Sequence, residues 1–286
     1  MPAPVLSSWP LETTPEKVTA ESICAVRFEP PRSRSPRKVS APSLTALPRT
    51  MLPVIERALA KVRAVELSLE RMPPVIVRRP VPKAELLAAG DYGRDTLTEK
   101  AIAFLRTRRD RSFFLHFAHY FVHDPIHTRA AWLVEKYRAR FPAGTDPRRL
   151  EYAAMVETLD HYVGQLLRAL DETGLAANTL VVFTSDNGGH PEFSTNSPLR
   201  GSKWNLYEGG LRVPWIVRWP GRVRAGATSD ARFVGTDLLP TLAAATNTAL
   251  PRGVALDGRN ILPLWLGEAA AKSEAERPLV WHFPYY

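Results

Sequence analysis

Apolar residues in the second half of the chain alternate between helical spacing and the short runs that are typical of buried strands. From Tyr152 to Leu170 the apolar positions recur every three or four residues, and Gly174 supplies a stop. Two compact β-favouring runs, residues 113–118 and 179–184, flank this helix. The pattern predicts a helix between two buried strands.

Shorter segments extend the same alternation. Thr96-Leu-Thr-Glu99 has the form of a capping box, so we expect a helix of about ten residues to follow it. A strand is expected at residues 213–219 and a helix at residues 237–245. Strands that alternate with helices favour the α/β class, with a mainly parallel sheet and helices on both faces over residues 95–266.

The front of the chain has a different composition. Fourteen of the 26 prolines lie between Pro2 and Pro82, and residues 27–79 hold twelve Lys and Arg against four Asp and Glu, which accounts for +8 of the net charge of +9. Only residues 54–69 have the pattern of an amphipathic helix. We therefore expect a Pro/Arg-rich, poorly structured extension at residues 1–90 and a globular domain at residues 91–286.

Composition narrows the classes of partner. The basic segment lacks a recognised nucleic-acid-binding fold and interleaved aromatic residues, so we expect no nucleic-acid partner. The single Cys24 excludes an internal disulfide framework. No run of 18 apolar residues is present, so no membrane span is expected. Residues 1–9 lack a basic region and an apolar run, so we also expect no signal peptide.

Asp186 and Asn187 are the first candidates for chemistry. They follow the predicted strand 179–184, and open α/β sheets bind ligands beyond the carboxyl ends of their strands. A carboxylate beside an amide offers two hard oxygen donors, which suit Ca²⁺, with Mg²⁺ as an alternative. Taken alone, Asp-Asn-Gly-Gly is equally the sequence of a plain turn after a strand.

Two longer strings carry a family resemblance. Residues 178–189 read Asn-Thr-Leu-Val-Val-Phe-Thr-Ser-Asp-Asn-Gly-Gly, and residues 199–214 read Leu-Arg-Gly-Ser-Lys-Trp-Asn-Leu-Tyr-Glu-Gly-Gly-Leu-Arg-Val-Pro. Together they resemble the sulfatase family. The resemblance implies an alkaline-phosphatase-like core, with Asp186 and Asn187 on the active-site calcium and Lys203 holding the sulfate. Gly209 and Gly210 are expected where two backbones approach closely.

An upstream segment extends the resemblance. The run from Phe113 ends in His123-Asp-Pro125, which looks like the family's His-x-Pro, and this implies that His123 contacts the sulfate. Four histidines at positions 116, 119, 123 and 127 also have the spacing of a helical zinc face. The Phe-rich run and Pro125 oppose a continuous helix, so we reject that alternative.

The chain departs from the family pattern near its beginning. The sequence has no Asp-Asp pair, which in the family supplies two more calcium ligands. The family nucleophile is a formylglycine made from the cysteine of Cys-x-Pro-x-Arg, whereas Cys24 stands in Ile-Cys-Ala-Val-Arg and does not fit. We therefore assign no catalytic residue and expect no formylglycine. Residues 91–286 are expected to be a partial catalytic domain without the family's C-terminal subdomain.

The resemblance implies a function with two alternatives. It points to a sulfuric ester hydrolase of the arylsulfatase type, which hydrolyses a small-molecule or glycan sulfate ester with calcium. Because the nucleophile motif and the first aspartates are absent, we expect this chain to be inactive by itself. A non-catalytic sulfatase remnant and a phosphonate or phosphodiester hydrolase of the same superfamily remain alternatives. Family members are usually periplasmic, secreted or lysosomal, and the compartment of this chain is left open.

Overall fold

The computed structural model describes residues 21–27 by their backbone, and residues 85–108, 110–250, 253, 255–268 and 277–283 with their side chains. All of these residues belong to one compact unit. The amphipathic helix predicted at residues 54–69 lies outside the described residues. The strands are β1 (Glu21–Arg27), β2 (Phe113–His119), β3 (Thr179–Ser185) and β4 (Trp215–Arg218); the helices are α1 (Thr96–Thr107), α2 (Ala131–Arg138), α3 (Pro147–Glu172), α4 (Glu208–Leu211), α5 (Leu238–Ala245) and α6 (Leu262–Trp265).

The four strands form one sheet in the order β2-β1-β3-β4. β1 pairs antiparallel with both of its neighbours, so that Cys24 stands opposite His116 on β2 and Val182 on β3. β4 pairs antiparallel with β3. The architecture is α/β as predicted, but every strand pairing among the described residues is antiparallel, which corrects the expected mainly parallel sheet.

β4, antiparallel to β3, accounts for one part of this correction, and β1 accounts for the other. Because β2 and β3 are both antiparallel to β1, they run in the same direction, as expected for two strands joined through the long helix α3. β1 lies between them and comes from residues 21–27, where the apolar pattern predicted no strand. This strand belongs to the sheet although it falls within the range predicted to be a poorly structured extension.

Helices cover both faces of the sheet, as predicted. Neighbouring residues of β3 point to opposite sides, because side chains alternate along a strand. Val181 belongs to a core that α1 and α3 build with β2, whereas Leu180 and Val182 belong to a second core on the other face. The buried partners in this second core are Trp219, Ile261 and Trp265.

The first described helix is capped one residue earlier than expected. Asp95 is the N-cap of α1, since its carboxylate accepts a hydrogen bond from the backbone N–H of Thr98 at 2.6 Å. Glu99, the expected second half of a capping box at Thr96, instead pairs with Arg94 at 2.7 Å. None of the described helices is long and apolar enough to cross a bilayer.

Glu157 on α3 holds α2 in place. Nζ of Lys136 donates to its two carboxylate oxygens at 2.6 and 2.7 Å, and the hydroxyls of Tyr137 and Tyr92 donate at 2.8 and 3.0 Å. Burial alone would raise the pKa of Glu157, but the hydrogen bonds from Lys136 and Tyr137 hold that pKa below its usual value. Burial, together with the negative charge of Glu157, raises the pKa of the nearby Asp160 to about 6.

Candidate functional site

The loop after β3 carries the first two candidate residues. β3 ends at Ser185, and the exposed Asp186 and half-buried Asn187 follow it directly. Nδ2 of Asn187 donates a hydrogen bond to Oδ1 of Asp186. The hydroxyl of Ser185 donates to the backbone oxygen of Asn187 at 3.1 Å, which holds the turn. Both candidates therefore lie at the carboxyl end of β3, where open α/β sheets bind ligands.

Glycines bring this loop into contact with the loop of residues 199–210. The N–H of Gly188 donates to the backbone oxygen of Gly210 at 2.9 Å. A Cβ at Gly188 would lie 1.7 Å from the backbone oxygen of Gly209, and a Cβ at Gly209 or Gly210 would lie 2.1 Å from another backbone oxygen. The close approach expected at Gly209 and Gly210 is confirmed, and Gly188 takes part in it as well.

The same loop contact positions Lys203. Its backbone N–H donates to the oxygen of Gly189 at 3.0 Å. The side chain of Asn196 links the two loops, since it accepts from the N–H of Gly189 at 2.9 Å and donates to the oxygen of Gly201 at 3.3 Å. Nζ of Lys203 then lies 3.0 Å from Nε2 of His123, in the loop that follows β2. The loop after β2, which is distant in sequence, thus meets the loop after β3 and the loop of residues 199–210.

The ring of His123 contacts two neighbouring groups. Nε2 lies 3.0 Å from the ammonium of Lys203, which has only donors. Nδ1 lies 3.1 Å from the backbone oxygen of Asp124. His123 is exposed and Lys203 half-buried, so an anion from solvent has access to both side chains. A compact cation beside an imidazole suits a tetrahedral oxyanion.

A comparison with protein families shows to which family this chain belongs. A family model described as Sulfatase matches residues 55–248, which is more than half of the chain. The chain belongs to the sulfatase family. The match begins at residue 55, upstream of residue 91, at which the domain expected from the motifs begins.

Individual sulfatases match only a part of their own length. A sulfatase of Formosa agariphila is 36% identical over 207 residues, which cover 67% of this chain and 37% of that protein. Steryl-sulfatase of Mus musculus is 37% identical over 204 residues, which cover 68% of this chain and 30% of that protein. Human arylsulfatase A is 35% identical over 185 residues, which cover 63% of this chain and 33% of that protein. The chain therefore spans about a third of the length of these relatives.

Solved structures of sulfatases share the fold. A crystal structure of Ps i-CgsB in complex with k-i-k-neocarrahexaose aligns with a TM-score of 0.53 and 32% identity, covering 60% of this chain and 38% of that one. A structure from work on glycosaminoglycan metabolism by Bacteroides thetaiotaomicron aligns with a TM-score of 0.51 and 29% identity. The alignment covers 59% of this chain and 36% of that one. These likenesses confirm the alkaline-phosphatase-like α/β class of an incomplete sulfatase core.

The candidate residues of this sulfatase chain fall into two contacting pairs. His123 and Lys203 contact each other, and Asp186 and Asn187 contact each other in the loop to which the backbone of Lys203 is bonded. Cys24 lies in β1, and its side chain is outside the described residues. That Cys24 is not the nucleophile therefore stays a prediction.

His190 is a site residue that the sequence analysis missed. Its ring stacks on Phe193 with centroids 4.1 Å apart and meets Trp204 edge-on at 4.6 Å. Burial lowers the pKa of His190; the negative charges of Asp124 and Glu192 oppose this shift, and the nearby cationic Lys203 adds to it. The available signal was its position directly after Asp-Asn-Gly-Gly, in the loop already singled out for chemistry.

The donor set fits a calcium ion only in part. Asp186 and Asn187 supply hard oxygen donors, but Ca²⁺ takes 6–8 of them. The described part of the chain contains no group of three or more His, Cys, Asp and Glu residues that could hold a metal. His119, one of the four regularly spaced histidines, is buried and pairs with Asp95 at 3.1 Å. Asp186 and Asn187 alone would leave most coordination positions of a calcium ion to other ligands.

Proposed function

We propose that this sulfatase-family chain binds the sulfate group of a sulfate ester through Lys203 and His123. The observation that carries the proposal is the 3.0 Å contact between Nζ of Lys203 and Nε2 of His123, at the loops that follow two strands of a sulfatase core. The ammonium of Lys203 would neutralise a sulfate oxygen as a compact, mobile charge. Its position also suits stabilisation of charge on the leaving oxygen.

Binding of the anion would change the hydrogen bonds of His123. The ammonium of Lys203 now lies 3.0 Å from Nε2 of His123 and would turn toward a sulfate oxygen. The ring of His123 would then be free to donate a hydrogen bond to a second sulfate oxygen. Lys203 and His123 would then bind one sulfate group from two directions.

We further propose that Asp186 and Asn187 each give one oxygen to a Ca²⁺ ion, with Mg²⁺ as the alternative. Such an ion would supply positive charge next to the sulfate oxygens. For Asn187 this requires that the amide turn its oxygen outward, because Nδ2 now donates to Asp186.

Hydrolysis by the 286-residue chain alone should be negligible. The family mechanism needs a covalent nucleophile, and the single cysteine of this sequence stands outside Cys-x-Pro-x-Arg. Loss of even one strong electrostatic element in an active site lowers rates on the order of 10²–10³-fold. We expect release of nitrophenol from 4-nitrophenyl sulfate at the same rate with wild type and Lys203→Ala. Faster turnover by the wild-type chain would contradict the proposed inactivity.

The binding proposal is tested by titration of the purified chain with inorganic sulfate, followed by NMR or calorimetry. Removing a charged hydrogen-bond donor typically costs about 1.5–3 kcal/mol, so Lys203→Met should weaken sulfate binding by about tenfold or more. Lys100→Met, at an exposed lysine on α1, is the matched control and should leave the affinity unchanged. Equal loss in both variants would overturn the proposal. Much tighter binding of phosphate than of sulfate would favour the phosphoryl-transfer alternative.

A further inference from the structure

Trp204 has a backbone conformation that bulky residues rarely adopt. Its φ is +80°, in the left-handed region, and it directly follows Lys203. The only other described non-glycine residue with a positive φ is Asn247, a residue type that tolerates this conformation. A bulky residue held in a sparsely populated region indicates a local constraint that is often functional.

Two other aromatic side chains, those of His190 and Phe193, pack in series behind Trp204. Its ring meets the edge of His190 at 4.6 Å, and the ring of His190 lies parallel to that of Phe193 at 4.1 Å. Phe193 is buried in the core of α1 and α3, where it also contacts Tyr152 at 5.5 Å. The indole is therefore fixed by buried rings.

The ring of Trp204 remains open to solvent despite this support. Trp204 is 53% exposed, and two other large apolar residues within three positions, Leu206 and Tyr207, are 43% and 47% exposed. The guanidinium of Arg200 lies 3.8 Å from the centre of the Tyr207 ring. An exposed ring that other rings hold in place offers a flat apolar surface for a ligand.

The supporting histidine places this ring next to the proposed anion site. His190 contacts Trp204, and it directly follows Gly189, whose backbone oxygen accepts from the N–H of Lys203. Trp204 directly follows Lys203 in the chain, so a ligand anion between Lys203 and His123 would lie next to the segment that carries Trp204. A sulfate ester bound there carries its organic group toward one side, where it can meet the exposed ring.

We propose that Trp204 is the platform for the leaving group and that it selects an aromatic ring. This inference rests on the proposed sulfate site and extends it to the class of ester. An aryl ring can stack on an indole with either of its two apolar faces, whereas a sugar has only a partly apolar face and carries hydroxyl groups that need hydrogen-bond partners. Ring stacking of this kind changes affinity by about threefold to tenfold.

The test compares four ligands on the purified 286-residue chain: inorganic sulfate, methyl sulfate, 4-nitrophenyl sulfate and glucose 6-sulfate. The wild-type chain should bind 4-nitrophenyl sulfate about threefold to tenfold more tightly than methyl sulfate. Trp204→Ala should abolish this preference and leave the affinity for inorganic sulfate within about twofold. Trp204→Phe should restore most of the preference, which a general loss of folding would not allow.

The control variant is Trp281→Ala, at a tryptophan that is 42% exposed in the segment 277–283. It should keep the preference for the aryl ester. An unchanged preference in Trp204→Ala, or a preference for glucose 6-sulfate that depends on Trp204, would overturn the inference while the sulfate site stands. Failure of the wild-type chain to bind inorganic sulfate would overturn the sulfate site and this inference together.

Discussion

Nζ of Lys203 lies 3.0 Å from Nε2 of His123, although 80 residues separate them in the chain. The contact depends on backbone hydrogen bonds between the loop after β3 and residues 199–210, because these bonds set the position of Lys203. The candidate anion site is thus a product of loop packing, and changes in the backbone that leave both side chains intact should still disrupt it.

Gly188→Ala tests this dependence. The new Cβ would lie 1.7 Å from the backbone oxygen of Gly209, so the two loops must separate. We expect a lower melting temperature and a loss of sulfate affinity as large as that of Lys203→Met. Gly235→Ala is the matched control, since a Cβ there meets no atom within 4 Å. Normal sulfate binding by Gly188→Ala would show that the loop contact does not position Lys203.

Asp160→Asn should stabilise the chain at neutral pH. The folded-state pKa of about 6 lies above the ordinary aspartate value, so between these two pH values the folded state holds a proton that the unfolded state has lost. The stability that this group contributes is fully present below the ordinary aspartate pKa. It falls as the pH rises above that value and is lost once the pH has passed about 6. We expect the variant to gain about 1–2 kcal/mol in the free energy of unfolding at pH 8, after allowance for solvent screening.

Urea unfolding at pH 5 and pH 8 measures this effect. The wild-type chain should lose more stability over that range than Asp160→Asn does. Asp230→Asn, at an exposed aspartate, is the control and should follow the wild type. The same pH dependence in wild type and Asp160→Asn would mean that Asp160 is not held protonated by burial and Glu157.

Calcium binding should be weak. Asp186 and Asn187 supply two oxygens of the 6–8 that the ion takes, so we expect a Kd above about 10⁻³ M, weaker than extracellular calcium modules. Calorimetric titration of the chain with CaCl₂ measures it, with Asp186→Asn as the variant that should remove the remaining binding. Binding in the micromolar range that survives Asp186→Asn would place the metal elsewhere in the chain.

The sequence was sufficient for the elements that local signals define. The period of the apolar residues predicted α3, and the compact run 179–184 predicted β3 to within one residue. The approach of Gly209 to another backbone also followed from the motif, because only glycine tolerates such proximity.

Long-range pairing was harder to predict. β1 takes the position between β2 and β3, and a seven-residue strand from a Pro-rich region gives no periodic signal. Strand direction depends on which strand is the neighbour. β1 separates the two strands that run in the same direction, and β4 also pairs antiparallel with β3, so the expected parallel sheet was wrong. The part played by His190 was also hidden, because its stacking on Phe193 and Trp204 is a property of the folded loops.

The most direct test of the sulfate site is a double-mutant cycle on Lys203 and His123. Sulfate affinity is measured for wild type, Lys203→Met, His123→Gln and the double variant. If both side chains bind one anion, each single change weakens binding, and the two losses are not additive, with a coupling of about 0.5–3 kcal/mol. Single variants that both bind sulfate within about twofold of the wild type would contradict the account.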